Sequence, residues 1–125
     1  MKHVLLVGVG GGLGSILRYL MSVVTEHYNV NVFPLATFSV NIIGCLLIGM
    51  LIGFLDQNIQ ANQSLKLLFV TGFCGGYTTF STFASENFRL LQNDYIWTAL
   101  FYILASVCLG VVAVWAGMSV VRYFV

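Results

Sequence analysis

The sequence predicts an all-α membrane protein of four transmembrane helices with a break in the third. Three observations carry that prediction. First, 59% of the 125 residues are hydrophobic and only 7% are charged. Soluble domains usually carry about 25% charged residues, so this chain lacks the polar groups needed to face water all round. Second, the apolar residues fall into four runs separated by short polar stretches. A hydrocarbon core of roughly 30 Å needs about 20 apolar residues per helical crossing. Third, the third run holds glycines and hydroxyl residues in its middle. One four-helix transmembrane domain over residues 1–125 is expected, with very short loops and no soluble domain. The net charge of +1 gives no electrostatic basis for nucleic-acid binding.

The first span is expected at about residues 4–24, VLLVGVGGGLGSILRYLMSVV. Met1-Lys2-His3 before an apolar run resembles a signal peptide, but no small-residue cleavage site with a soluble domain behind it follows. Polar TEHYNVN (Thr25 to Asn31) closes this span. The second is expected at about 32–55, with Pro34 in its first turn, where a missing amide costs little. DQNIQANQS (Asp56 to Ser64) reads as the one clearly solvated loop. The third is expected at about 65–91, QND (Gln92 to Asp94) as a tight turn, and the fourth at about 95–121.

Four spans put both termini on one side. Lys2, Lys66 and Arg122 then gather on that side, against Arg89, with Arg18 toward the same opposite end. A clear Lys/Arg excess normally sets orientation, and three against two is a weak one. Gly8/Gly12, Gly10/Gly14, Gly49/Gly53 and Gly72/Gly76 are each four apart. That spacing lets helix backbones approach closely in lipid and predicts a compact bundle or an oligomer.

Several motifs fall away. The glycines of VLLVGVGGGLG miss the G-x-G-x-x-G register at Leu13 and Ser15, and no G-K-[ST] follows. Cys45, Cys74 and Cys108 lie inside apolar runs without metal or disulfide spacing. His3 and His27 sit at the membrane margins, and no acid–base pair stands beside a nucleophile, which leaves no basis for an enzyme.

Other residues keep two readings each. Arg18 is costly inside a span unless it snorkels or faces water or protein; it either snorkels or lines an aqueous vestibule that attracts anions. Asn41, in TFSVNIIG, shares a helix face with Thr37 and Cys45. Its amide either bonds another helix or points donors into a pore. In GFCGGYTTFSTF, Gly75-Gly76 followed by Tyr77-Thr78-Thr79 invites a helix break. Irregular backbone at that depth must be buried in protein or line a polar cavity, and its freed carbonyls can coordinate a cation. Phe80 and Phe83 are three apart on one face, Ser81 and Thr82 point elsewhere, and Glu86 continues the phenylalanine face. The rings either pack or present their positive edges to an anion. Tyr102 and Ser106 are a further polar pair four apart, with Gly110 one turn on.

Together, GGGLGSILRY, TFSVNIIG and GFCGGYTTFSTF in a four-span chain resemble the Fluc family of small bacterial fluoride channels, also called CrcB-like proteins. The likeness covers essentially the whole chain, and the last motif is the specific one. It implies a multi-pass protein of the bacterial inner membrane, an antiparallel dual-topology homodimer that accounts for the weak charge bias. Each dimer would hold two fluoride pores serving passive fluoride efflux. By the same resemblance, Phe80 and Phe83 line a pore with their ring edges and Asn41 donates to the ion. Ser81, Thr82, Tyr102 and Ser106 would be polar pore positions or their supports, and Arg18 would lie toward the vestibule. Backbone carbonyls of Gly75 and Thr78 from both subunits would hold a structural Na⁺ at the dimer axis. Gly110 is left out of the pore set. Such a pore suits fluoride, because neutral amide, hydroxyl and aromatic C–H donors replace its hydration shell without trapping it.

Two other classes compete. A small dual-topology drug/proton antiporter needs a membrane carboxylate that substrate and proton both claim; the first three spans offer only Glu86, near one end of the third. A non-transporting assembly subunit would use the glycines but leaves Asn41, Phe80 and Phe83 unexplained.

Overall fold

The computed structural model describes residues 1–28, 31–56 and 63–124, which are helical almost throughout. In chain order they form α1 (Lys2–Tyr28), α2 (Leu35–Leu55), the single turn α3 (Gln63–Leu65), a π-helical segment (Lys66–Cys74), α4 (Gly75–Tyr77), α5 (Phe80–Gln92) and α6 (Ile96–Phe124). By length and composition, α1, α2 and α6 can each cross a membrane. The stretch from α3 through α5, third in chain order, completes the four helical runs, and it is the interrupted one.

The ends differ from the expected ones for local reasons. α1 runs past residue 24 into the polar TEHY, where the Thr25 hydroxyl is satisfied by donating to the Met21 carbonyl at 2.7 Å. α2 starts at Leu35 and not at 32, because Pro34 disfavours helical backbone at the residue before it. Most of the expected solvated loop, residues 57–62, lies outside the described residues. The QND turn forms as expected. Asp94 takes a left-handed φ of 62°, and the amide of Tyr95 donates to the Leu90 carbonyl at 2.9 Å. This is the Schellman ending, which returns amides to the orphan carbonyls of the last turn of α5.

α2 packs chiefly on α6, and α1 chiefly on the π-helical segment. Glycine decides both contacts. A Cβ on Gly49 would fall on the Val114 carbonyl oxygen, and one on Gly117 on that of Leu46. On the other seam, Cβ atoms on Gly10 and Gly14 would fall on the carbonyl oxygens of Leu68 and Phe73. Without a hydrophobic drive between helices in lipid, such backbone approach supplies the van der Waals contact that holds them. Gly8 and Gly12, equally spaced, meet nothing within 4 Å. An aromatic cluster fills the space where α5 meets α6: Leu90, Ala99 and Tyr102 are buried, with Phe33, Phe38 and Phe83 against them.

Candidate functional site

The third span breaks inside the predicted stretch, just after its glycines. Gly75 is helical, with φ −64° and ψ −34°, whereas Thr78 and Thr79 are extended, with ψ of 160° and 119°. Thr79 then caps α5, its hydroxyl oxygen accepting from the amide of Thr82 at 3.3 Å. Threonine suits this position because its oxygen replaces a missing carbonyl for the first turn.

α2 is shaped to receive the break. Asn41 and Gly44, three apart, face it together. The Asn41 Nδ2 donates to the Thr79 carbonyl at 3.1 Å, and its Oδ1 accepts from the Thr79 amide at 2.9 Å. Gly44 leaves room for the Thr78 methyl, which a Cβ there would strike. From α1, the Ser15 hydroxyl reaches the Gly76 carbonyl at 3.4 Å. Of the two readings of Asn41, the interhelical bond is the one observed; the residue also borders a cavity.

That cavity is a groove of about 420 Å³ bordered by Asn41, Gly75, Thr78, Phe80, Phe83 and Ser106, among others, and it is not closed off. Among the described residues that line it there is no Asp, Glu, Lys, Arg or His. Phe80 is 79% exposed on its rim. The Ser106 hydroxyl is buried without a hydrogen-bond partner among the described residues. Phe80 and Phe83 lie with ring centroids 5.9 Å apart. Phe83 meets Tyr102 in a T-shaped contact at 4.9 Å, which fixes its ring orientation.

A second pocket of about 240 Å³ is lined by Ser15, Arg18, Thr37, Thr79 and Thr82 with their neighbours. Thr79 therefore borders both cavities. The Arg18 Nε is buried there without a partner among the described residues. Arg18 thus shares a cavity lining with the hydroxyl residues Ser15, Thr37, Thr79 and Thr82, and an intramembrane arginine is tolerated where it borders a polar cavity.

Two predicted residues sit elsewhere. Ser81 is exposed and lies 3.4 Å from the Thr79 hydroxyl, bordering neither cavity. Tyr102 is fully buried, and its hydroxyl donates to the Glu86 carboxylate at 2.9 Å. Thr37 donates to the other carboxylate oxygen at 2.7 Å. Glu86 is thus a junction of α2, α5 and α6, a role its register on the phenylalanine face did not reveal. Each such bond to a charged group is worth about 1.5–3 kcal/mol. Thr79 was also missed as a structural residue, although a threonine ahead of a helical run is a recognisable cap signal.

The family model described as CrcB-like protein, Camphor Resistance (CrcB), matches residues 5–118. The chain belongs to the CrcB-like family. It is 48% identical over 122 residues to a fluoride-specific ion channel FluC of Flavobacterium psychrophilum, covering 98% of each chain. It is 42% identical to proteins of the same name from Azobacteroides pseudotrichonymphae, over 99% of each chain, and from Rhizobium meliloti, over 100% of each. These CrcB-like relatives are ion channels by name and not enzymes, the class the residues indicated. Membership together with three long apolar helices makes the chain a multi-pass membrane protein.

Proposed function

We propose that the chain is a fluoride-selective channel through which fluoride leaves the bacterial cytoplasm passively across the inner membrane. The observation that carries this reading is the uncharged groove. Among the described residues, Asn41, a buried Ser106 hydroxyl without a hydrogen-bond partner and the Phe80 and Phe83 rings border one space that no charged side chain lines. Such a lining replaces hydration in steps, with neutral donors and ring edges, and holds no fixed charge that would trap the ion. The names of the high-coverage relatives point to the same ion.

The groove's open side and the exposed Phe80 favour a pore completed by a second subunit. The partner in this reading is a second copy in antiparallel orientation, giving two pores, and the small Lys/Arg bias suits insertion in both orientations. Arg18, in its own polar pocket with Thr82, draws anions toward the track. Tyr102 supports the lining through Phe83 and Glu86, and Ser81 acts from the exposed side of the break.

The chain also fits a structural sodium ion at the break. In a continuous α-helix the amides of Thr79 and Thr82 would bond the carbonyls of Gly75 and Thr78. Here those amides go to Asn41 and to the Thr79 hydroxyl. Hard carbonyl oxygens released from a broken helix are the donors Na⁺ takes in membrane proteins. When bound, the ion supplies fixed positive charge; the Gly75 and Thr78 carbonyls of both subunits would hold it.

The antiporter alternative loses ground on one observation. Glu86, the carboxylate it needs, is absent from the groove lining and is engaged by Thr37 and Tyr102.

The test is ion efflux from liposomes containing the purified protein, loaded with potassium fluoride or chloride and released with valinomycin. Fluoride is expected to leave rapidly and chloride not at all, with the fluoride flux lost in Phe80→Ile. No fluoride flux from well-folded protein would sink the reading and make Glu86→Gln in a drug-resistance assay the next step.

A further inference from the structure

We infer that Asn41 and Thr79 are positioning residues for the cation site, holding the backbone of the third span open so that the Gly75 and Thr78 carbonyls stay available. The inference rests on the sodium reading above.

Three hydrogen bonds carry it. The Thr79 amide, the natural partner of the Gly75 carbonyl, donates instead to Asn41 Oδ1 at 2.9 Å. The Thr82 amide, the natural partner of the Thr78 carbonyl, donates instead to the Thr79 hydroxyl oxygen at 3.3 Å. Asn41 Nδ2 closes the pair on the Thr79 carbonyl at 3.1 Å, so one side-chain amide imitates a neighbouring strand's peptide group. Backbone amides in a low-dielectric interior must be paired, and short polar side chains compete with the helical ladder for them. Remove the competitor and the ladder's own acceptors become the best partners. The Thr79 and Thr82 amides would then return to Gly75 and Thr78, and the oxygens meant for a cation would be spent inside the helix.

The packing around the break agrees. A Cβ on Gly44 would strike the Thr78 methyl, so α2 holds Thr78 in its extended backbone from a second point. The Thr78 hydroxyl and amide both donate to the Cys74 carbonyl, at 2.8 and 3.0 Å, which ends the preceding helix one residue before the gap. Gly75 itself is exposed and has open space where a Cβ would stand. Since Asn41 also borders the groove, the ion pathway and the cation site share a residue.

The experiment is a sodium titration of the purified protein dialysed into N-methylglucamine, followed by thermal unfolding. Wild type is expected to gain thermal stability saturably with sodium. Thr79→Val keeps the side chain's shape and removes the capping oxygen. It should raise the half-saturating sodium concentration about tenfold, the equivalent of one hydrogen bond of site organisation. Thr79→Ser should restore the wild-type value, and Asn41→Leu should shift it in the same direction as Thr79→Val. A lower melting temperature at every sodium concentration with an unchanged half-saturation point would mark a purely structural role and overturn the inference. Should Asn41→Leu fail to fold, the valine–serine pair at position 79 decides alone. A wild-type melting curve indifferent to sodium would sink the sodium site, and this inference with it.

Discussion

The two helix seams of this chain use the same device toward different ends. Between α2 and α6, Gly49 and Gly117 bring backbone against the Val114 and Leu46 carbonyls, and both helices have complete ladders. Between α1 and the third span, Gly10, Gly14 and Gly76 again face carbonyls, those of Leu68, Phe73 and Gly11. There, however, the partner is a π-helical segment and the single turn α4, followed by two extended residues. The first seam joins two finished cylinders, so shape alone is enough. The second holds an unfinished one, and its neighbours must supply polar partners: Ser15 from α1 and Asn41 from α2. Close approach in lipid is thus a general adhesive, and function enters where the approached backbone has hydrogen-bonding capacity left over.

The largest expected effect tests the finished seam. Gly117→Leu puts a Cβ onto the Leu46 carbonyl and 2.8 Å from the Met50 amide, both backbone and unable to yield. Overpacking of this kind costs about 1–3 kcal/mol, and the upper end is expected against unyielding backbone; the yield of monodisperse protein with its unfolding midpoint would report it. Gly12→Ala is the control, since nothing lies within 4 Å of its Cβ. It should stay within about 0.5 kcal/mol of wild type. A loss as large as that of Gly117→Leu would show that a partner chain covers the Gly8/Gly12 face.

A smaller effect is expected where polar partners converge. Tyr102→Phe keeps the T-shaped contact with Phe83 and removes one of the two hydroxyls on Glu86. Loss of one bond to a charged group should lower stability by about 1.5–3 kcal/mol. Thr37→Val removes the other. Because both donors serve one carboxylate, the double variant should depart from additivity by about 0.5–3 kcal/mol. Strict additivity in chemical unfolding would show that Glu86 is not their common centre.

How much of this was legible follows the same divide. Apolar runs and glycine spacing point to four helical runs and close seams, because lipid forces backbone pairing inside each span. Position within the seams was less visible: Gly8 and Gly12 have the same spacing as Gly10 and Gly14, yet a Cβ on either would have nothing within 4 Å among the described residues. The π register of KLLFVTGFC has no signature in residues that suit an α-helix equally well. The break was legible to within a residue or two, since paired glycines before paired threonines weaken a helix on one side and cap one on the other. What stayed hidden was partnership across the chain. Thr37 and Glu86 are 49 residues apart, and Asn41 and Thr79 are 38 apart. Each lies on a polar position whose need for a partner is plain, while the partner's identity depends on helix rotation that periodicity does not fix.

The smallest effect concerns the one ion pair among the described residues. Lys66 Nζ lies 3.1 Å from Asp56 Oδ1, with the two side chains 49% and 55% exposed. It clasps the end of α2 to the start of the π-helical segment, outside the apolar runs. Water and salt screen such a pair, so Lys66→Ala should change stability by less than about 1 kcal/mol. Its charge matters more for orientation than for folding. Removing it reduces the three-to-two count of basic residues to two against two, and orientation follows such counts. A chain that inserts both ways should tolerate this change with fluoride efflux intact. If cysteine labelling from either side showed that Lys66→Ala turned a uniformly oriented population into a mixed one, dual topology would be excluded for this chain.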